Sequence, residues 1–357
     1  MTFYEALQLD PAVLKSKARQ AGSPAQKRWF IKALIVRDVL LVAFSIVFVS
    51  ALTALFGSEN SPMAVVIFCA LLSIRFVDFG YRVSHSLAAL ALVFAILLVS
   101  PVLMQLVPPL LGLAVNFLSI LAVLVMTCER PEMGNGGLYM FGYIFLTGSL
   151  PSPDVFAGRA GLAAAGFLIC GLVLYKNHRH KHSERTLLHV LGGFSLHSPR
   201  VQWQLQLALA LSLLFFTGRF FSLNRFMWIG FACSSLLSAY PSRIHERLLG
   251  RAGGAIAGSL LFGLAAFLVP PQFTFLFGPV SGLCLGLCST YHGKTMFNCL
   301  GALLMAASVY GVPDAMVLRI CNNLIGLAFG YAFFHLFQRL FVDLCLPRLA
   351  KQQDCAG

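Results

Sequence analysis

Charged side chains are scarce in this sequence. Only 11% of its 357 residues are Asp, Glu, Lys or Arg, whereas soluble domains have about 25%. Hydrophobic residues make up 58% of the chain, and the mean hydropathy is +0.81. This composition excludes a mainly soluble protein. Because one membrane span needs roughly 20 apolar residues, the apolar part of the chain suffices for about a dozen spans.

Motifs for ATP hydrolysis and metal binding are also missing. The sequence has no Gly-x4-Gly-Lys-Ser/Thr loop, which excludes the usual nucleotide site of an ATP-driven pump. Its ten cysteines never occur as Cys-x2-Cys, and we predict neither a metal site nor another cofactor. The first 30 residues lack the apolar core of a signal peptide, so we expect the first span to direct membrane insertion.

Catalytic clusters are equally absent from the apolar segments. These segments contain no Ser/His/Asp set, no histidine-rich metal box and no paired carboxylates. The charges of Glu129-Arg130-Pro131-Glu132 indicate a solvated loop. We therefore predict that the protein is not an enzyme, and a membrane enzyme acting on lipid is the least favoured alternative.

What the sequence does contain is a series of twelve apolar segments, six on each side of a basic stretch. They are Val39–Leu55, Pro62–Ile74, Ser84–Val99, Pro109–Met126, Leu138–Leu150, Val155–Tyr175, Val201–Phe216, Phe226–Tyr240, Ala252–Val269, Phe273–Cys288, Met296–Val309 and Ala315–Leu336. Several are short or interrupted by glycine and proline, so a count of ten or eleven spans is the alternative.

The positions of the basic residues predict the topology. The net charge is +13, but Lys and Arg lie in short loops rather than on one solvated face, and we predict no nucleic-acid partner. Cytoplasmic loops of membrane proteins collect Lys and Arg. With twelve spans and both termini in the cytoplasm, that side receives all but four of the 26 basic residues. The four others are Arg159, Arg219, Arg225 and Arg319.

These features divide the chain into five parts and predict an all-α polytopic membrane protein. The parts are a cytoplasmic N-terminal segment (1–36), a first six-helix membrane repeat (37–175), a basic cytoplasmic linker (176–200), a second six-helix membrane repeat (201–336) and a cytoplasmic tail (337–357). The linker begins Lys-Asn-His-Arg-His-Lys-His, a kind of tract that can bind zinc. Its place after a span favours a cytoplasmic anchor instead.

The two halves share a motif, which is why we describe them as repeats. The pattern Pro-Asp-x4-Arg-x6-Gly opens the last segment of each half at a shift of 160 residues. The first copy is Pro153, Asp154, Arg159 and Gly166, and the second is Pro313, Asp314, Arg319 and Gly326. Arg37 and Arg200 likewise precede the first segment of each half. Because six segments separate equivalent positions, the repeats run parallel.

The arginine of this motif lies about 7 Å beyond the aspartate along a helix axis. A guanidinium that faces lipid is costly, so we expect Arg159 and Arg319 to face the bundle interior. There, with Asp154 and Asp314, they are candidates for binding an anionic substrate. In the alternative, each arginine extends to the outer surface or pairs with its own aspartate.

A second motif begins the ninth segment. It reads Arg251-Ala-Gly-Gly254-Ala-Ile-Ala-Gly258, and its counterpart in the first half keeps Arg82 but not the glycines. Gly254 and Gly258 permit close helix packing. Arg82 and Arg251 are candidates for a cytoplasmic anion-access site, and helix packing alone is the alternative.

Arg251-x2-Gly254-x3-Gly258, the apolar run after it, and Arg319-x6-Gly326 resemble the fusaric-acid-resistance or aromatic-acid exporter (FUSC) family. The resemblance covers roughly residues 37–336 and extends distantly to the aluminium-activated malate transporters. Two features depart from the family pattern: Ala255 replaces the usual Thr, and the short linker replaces a large cytoplasmic domain. The resemblance therefore implies a compact branch with its own regulation or partners.

The resemblance implies an export function. Members of the family export aromatic carboxylates or related amphipathic compounds across the bacterial inner membrane, commonly beside an HlyD-type periplasmic membrane-fusion protein. We predict a multi-pass secondary efflux transporter for small organic anions, with a basic pathway between the repeats. An anion channel or channel-like subunit is the alternative. Besides the substrate and the lipid bilayer, the expected partners are a membrane-fusion protein and a second copy of the chain.

The energy source follows from the lack of a nucleotide site: we expect coupling to protons or to the membrane potential. Proton coupling requires a titratable side chain. The candidates are Asp78, Asp154, Asp314, His85, His245 and His292.

Overall fold

The structure, a computed structural model, describes residues 1–240 and 243–347. Within these ranges the chain forms fifteen α-helices and no β-strand. The helices are α1 Phe3–Leu7, α2 Pro11–Arg19, α3 Pro24–Phe56, α4 Ser61–Ile74, α5 Val83–Leu106, α6 Pro109–Thr127, α7 Asn135–Thr147, α8 Pro153–His178, α9 Leu187–Gly192, α10 Pro199–Phe220, α11 Met227–Leu237, α12 Ile244–Leu268, α13 Phe277–Leu287, α14 Tyr291–Tyr310 and α15 Val312–Phe337. Short 3-10 turns occupy Ser58–Asn60, Pro131–Met133 and Pro271–Leu276, and a π-helical segment, Gln338–Cys345, continues α15.

Each predicted apolar segment lies on a helix of its own, from α3 to α8 and from α10 to α15. In the described residues, seven helices are long and apolar enough to cross a membrane: α3, α5, α6, α8, α10, α12 and α15. Three further apolar helices are shorter: Ser58–Ile74, Met227–Leu237 and Pro271–Leu287. The chain is therefore an all-helical, multi-pass membrane protein, and the count of twelve spans stays a prediction.

The segments predicted as polar are more helical than hydropathy indicates. In the N-terminal segment, α1 starts at a capping box formed by Thr2 and Glu5, and α2 starts at Asp10, whose side chain accepts a hydrogen bond from the Ala12 N–H. In the linker, α8 continues to His178, and α9 begins after Thr186. Caps, rather than apolar runs, define these short helices.

The described residues group into two compact units, and each unit takes helices from both halves of the sequence. Unit 1 comprises residues 1–48 and 245–323. In it, α1 and α2 pack on α3 through an apolar cluster of Ala6, Leu14, Ala18, Phe30, Ala33 and Leu34. α3 also packs against α13, where a Cβ placed on Gly282 would lie 3.5 Å from Val42. The aromatic rings of Phe262 and Phe277 join α12 to α13 at a centroid distance of 5.9 Å.

Unit 2 comprises the described residues in the ranges 49–244 and 324–347. Here α6 packs against α5 and α10, and α8 packs against α4 and α5. Gly166 lets α8 approach α4, because a Cβ there would lie 2.5 Å from Ile67. Gly326 plays the same part on α15, where a Cβ would overlap the Ile229 carbonyl of α11. The final glycine of the shared motif thus makes an equivalent helix contact in both halves of the sequence.

A second contact is also equivalent. The first helix of each half packs against the fourth helix of the other half: α3 against α13 in unit 1, and α10 against α6 in unit 2. In the latter contact, Gln204 donates hydrogen bonds from Nε2 to the carbonyls of Leu124 and Cys128, at 3.3 and 3.2 Å. The two units therefore use the same rule for pairing helices.

Candidate functional site

Both motif arginines are buried. Arg159 is 3% exposed on α8 and Arg319 is 2% exposed on α15. Ionisable residues inside membrane helices are costly, and they face protein rather than lipid. The structure places both side chains in protein, as the sequence predicts. Their surroundings differ, and the difference separates a structural arginine from a candidate for binding.

Arg159 is held by groups of its own unit. Its Nε donates to Oδ1 of Asn60 at 3.1 Å, and its two Nη atoms donate to the carbonyls of Ser149 at 2.5 Å and Glu59 at 3.0 Å. These partners belong to the turn between α3 and α4 and to the loop between α7 and α8. With all three guanidinium nitrogens engaged by fixed protein acceptors, Arg159 is suited to tying two loops together.

The motif aspartates do not pair with the arginines. Asp154 and Asp314 are exposed in the first turns of α8 and α15, and neither forms an ion pair within the described residues. An acidic residue in a first turn complements the partial positive charge of the helix N-terminus. This arrangement gives the two aspartates a local role in the helices, and their predicted role at the substrate stays a prediction.

Arg319 belongs to a buried polar cluster in unit 1. Arg251, 7% exposed, donates from Nε to Oδ1 of Asn323 at 3.3 Å. The Nδ2 of Asn323 donates to the carbonyl of Arg319 at 2.8 Å. Arg251 lies within electrostatic range of Arg319, and the thiol of Cys299 lies beside the Arg319 guanidinium. We call Arg251, Arg319, Asn323 and Cys299 the arginine cluster. It concentrates two cations in one buried region.

The glycine motif positions Arg251. A Cβ on Gly254 would lie 2.7 Å from the carbonyl oxygen of His292, and a Cβ on Gly258 would overlap the carbonyl of Met296. Both carbonyls belong to α14, so the motif brings α12 against α14 and carries Arg251 with it. The packing interpretation of these glycines is therefore supported, and packing itself helps to build the arginine cluster.

Arg82 has a different environment. Its side chain is exposed at the start of α5, and its backbone N–H donates to the carbonyl of Arg185 in the linker at 2.8 Å. Ser86 N–H closes the first turn on the Arg82 carbonyl. Within unit 2, Arg82 thus belongs to the region where the linker docks, and Arg159 belongs to the loops at the opposite ends of α4 and α8.

Two carboxylates bind the linker. Asp78 lies 3.3 Å from Nε2 of His182 and 3.7 Å from Nζ of Lys181. Glu129 lies 3.0 Å from an Nη atom of Arg185 and also binds Arg200. Because Glu129 is only 9% exposed, its assignment to a solvated loop was wrong. Sequence shows the charge, but not the linker residues that cover it.

The same region contains a buried tyrosine. Burial and the nearby Glu129 carboxylate raise the pKa of the Tyr81 hydroxyl well above its ordinary value. Tyr81 therefore stays protonated and donates to the carbonyl of Met126 at 2.6 Å. The hydrogen bond ties the loop before α5 to the end of α6, which stabilises the surface on which the linker docks.

The predicted proton-binding candidates lie outside the arginine cluster. Asp78 is engaged with the linker, and His85 accepts a hydrogen bond on Nδ1 from the Leu187 N–H at 3.0 Å. His245 and His292 are exposed at the starts of α12 and α14. A buried carboxylate that the sequence interpretation passed over, Asp38, is 2% exposed on α3. In the sequence, its position directly before the apolar segment Val39–Leu55 could have marked it as a candidate.

An aromatic cavity of about 230 Å³ lies in unit 2, between the start of α10 and the ends of α11 and α15. Its aromatic lining consists of Trp203, Tyr240 and Phe334, and the amides of Gln202, Gln206 and Gln338 lie among them. The rings of Trp203 and Tyr240 meet edge to face at 5.8 Å. Hydropathy gives no indication of this cavity, because its lining comes from three separate segments.

One of the comparisons with known proteins agrees with the resemblance. The family described as fusaric acid resistance protein-like matches residues 191–333, which confirms the resemblance for this part of the chain. No curated protein and no solved structure matches the chain. The matched region runs from α9 almost to the end of α15 and contains Arg251, Arg319 and Trp203.

Proposed function

From the membership of residues 191–333 in the fusaric acid resistance protein-like family, we propose that this protein is a secondary exporter of small organic anions. It acts as a multi-pass protein of the inner membrane, and aromatic carboxylates are its main substrates. The arginine cluster is the observation that carries the proposal, because it combines two buried cations with membrane helices of the matched region.

The arginine cluster suits a carboxylate for a physical reason. A guanidinium presents paired donors that match the two oxygens of a carboxylate. Two neighbouring guanidinium groups repel one another, and burial strengthens that repulsion by lowering the local dielectric constant. An anion that enters the cluster relieves the repulsion between Arg251 and Arg319. The amide of Asn323, which bonds to both residues, holds the cluster in position.

Unit 2 contains a separate feature that suits an aromatic compound, the cavity described above. Trp203, Tyr240 and Phe334 provide flat apolar surface, and glutamine amides provide hydrogen-bonding groups. Aromatic rings favour edge-to-face or offset contacts with one another. A cavity of about 230 Å³ has room for a single ring with small substituents. Ligand sites of this kind are mainly apolar with a few polar groups.

The architecture that we propose is a duplication with parallel repeats and twelve spans. It is supported by the equivalent contacts of Gly166 and Gly326, and by the pairing of α3 with α13 and α10 with α6. The two copies have diverged in function: Arg159 holds two loops together, whereas Arg319 binds the anion. We also propose that both termini are cytoplasmic, since this topology places most Lys and Arg on the cytoplasmic side.

Export by this protein uses the proton gradient or the membrane potential, as expected for a transporter without a nucleotide site. A periplasmic membrane-fusion protein of the HlyD type is the partner we propose, and a second copy of the chain is another. Copurification of the protein from native membranes would identify such partners.

A transport assay tests the proposal. Liposomes that contain the purified protein and are loaded with radiolabelled benzoate should release the label faster than loaded liposomes without protein. Arg319→Gln and Arg251→Gln should each slow this release about tenfold or more. This factor corresponds to a loss of about 1.4 kcal/mol of binding or transition-state energy. Arg28→Gln, which changes an exposed arginine on α3, is the matched control and should behave as wild type.

If both cluster variants release benzoate at the wild-type rate, Arg251 and Arg319 do not bind the substrate. Benzoate conductance in the channel range, unaffected by a proton gradient, would identify a channel instead of an exporter.

A further inference from the structure

Asp38 is a buried carboxylate on a membrane helix. It lies on α3, the 33-residue helix whose C-terminal part is the first apolar segment. Phe56 lies eighteen positions after Asp38, which is about 27 Å along the helix axis and close to the roughly 30 Å thickness of the hydrocarbon core. Asp38 therefore lies at one edge of the apolar layer, and it is only 2% exposed.

The carboxylate of Asp38 faces the bare backbone of α13. A Cβ placed on Gly286 would overlap Oδ1 of Asp38, so only glycine leaves room for the carboxylate there. One turn farther along α3, Val42 packs against Gly282 of the same helix. The Asp38 carboxylate therefore lies within the contact between α3 and α13.

Asp38 has no fixed cation as a partner. Among the described residues no ion pair involves its side chain. The charged and titratable groups around it are Arg37, its neighbour on α3, and the thiol of Cys284 on α13, which lies near the thiol of Cys288. The group is therefore placed to exchange a proton, since no salt bridge holds it in its charged form.

The helix contact made by α3 does not require a carboxylate at position 38. When Arg37 is aligned with Arg200, the residue equivalent to Asp38 is Val201 on α10. Val201 is fully buried, and α10 packs against α6 with Gln204 as the polar contact. The same type of helix contact is thus made in unit 2 without a carboxylate, so the acid of α3 is an addition to it.

Protonation of Asp38 changes the contact between α3 and α13. A buried carboxylate without a partner is costly in its charged form and much less so as a neutral acid. Gain of a proton therefore favours the packed arrangement, and loss of the proton favours access of water to the carboxylate. This is the property required of a group that alternates between two states of a transporter.

We propose that Asp38 is the proton-binding residue that couples organic-anion export to the proton gradient. The inference rests on the proposed export function. In each cycle the Asp38 carboxylate binds one proton from the outer side, becomes the neutral acid, and then releases the proton to the cytoplasm. An anion leaves the cytoplasm in the same cycle.

Two modes of transport in liposomes test this inference with radiolabelled benzoate as the probe. In the first mode, an imposed proton gradient drives accumulation of benzoate against its concentration gradient. In the second, labelled and unlabelled benzoate exchange at equal concentrations without a proton gradient. Asp38→Asn should lose gradient-driven accumulation by at least tenfold and keep exchange within twofold of wild type.

Two further variants complete the test. Asp38→Glu should retain part of the gradient-driven accumulation, because it retains a titratable carboxyl. Glu132→Gln, which neutralises an exposed carboxylate in the turn after α6, is the matched control and should behave as wild type in both modes. Purified wild-type protein should also change its proton occupancy when benzoate binds, and Asp38→Asn should not.

Each remaining outcome counts against the proposal. If Asp38→Asn accumulates benzoate as well as wild type, the coupling residue lies elsewhere and the export function stands. If Asp38→Asn loses exchange too, or does not insert, Asp38 is a packing residue. If wild-type protein moves no benzoate in either mode, the export function fails and the coupling role of Asp38 fails with it.

Discussion

At the scale of single residues, one sequence motif gives two different arginines. Arg159 and Arg319 occupy the same position in the repeated pattern and are buried to the same degree. Arg159 is bound by Asn60 and by two backbone carbonyls of nearby loops. Arg319 lies instead beside Arg251, a second buried cation. The motif predicted burial correctly, but the partners come from segments far away in sequence, and no spacing rule identifies them.

This difference predicts separate effects on stability and transport. Arg159→Gln removes three hydrogen bonds from a charged donor, two of them to part-buried carbonyls, which should lower the free energy of unfolding by about 2–4 kcal/mol. The transport rate per folded molecule should stay near that of wild type. Thermal unfolding in detergent, followed by the benzoate assay on the folded fraction, measures both effects. A stable Arg159→Gln protein that no longer transports would assign Arg159 to the substrate path.

The glycine beneath Asp38 gives a second prediction at this scale. Gly286→Ala places a methyl group where the Asp38 carboxylate lies, and overpacking of this kind costs about 1–3 kcal/mol. The cost should fall when Asp38→Ala is combined with Gly286→Ala, because the smaller side chain makes room. A double-mutant cycle of unfolding free energies measures the coupling. Strictly additive effects would mean that the two residues do not touch.

At the scale of helices, apolar runs predicted α3 to α8 and α10 to α15, each as one element. They did not predict α1, α2 or α9, because caps and tertiary contacts define these short helices. They also gave no information on the linker, which is bound to the loops of unit 2 by Asp78 and Glu129. A carboxylate pairs with whichever cations the fold brings near, and the linker's basic residues are distant in sequence.

The linker contacts predict a change in protease sensitivity. Glu129→Gln removes the charge that binds Arg185 and Arg200, and the linker should undock more often. Loss of about 1.4 kcal/mol of docking energy raises the undocked population about tenfold. Trypsin should then cleave at Lys181 and Arg185 about tenfold faster than in wild type. Glu132→Gln is the control, and equal cleavage of both variants would contradict the docking role of Glu129.

At the scale of the whole molecule, the sequence predicts a duplication, which stays a prediction, but it does not predict which helices pair. The repeated motif indicated two parallel copies. Hydropathy and spacing do not indicate which apolar surfaces meet, so the pairing of α3 with α13 and of α10 with α6 emerged only from the structure. The arginine cluster depends on such pairing, since its residues come from α12, α14 and α15. The burial of Asp38 likewise depends on pairing, because its carboxylate packs against Gly286 of α13.

The central claim is that the arginine cluster binds an organic anion. Equilibrium binding of radiolabelled benzoate to purified protein tests it without any assumption about energy coupling. Saturable binding by wild type and by Arg28→Gln is predicted, with affinity at least tenfold weaker in Arg319→Gln and undetectable in the double variant with Arg251→Gln. Undiminished benzoate binding by the double variant would contradict the claim.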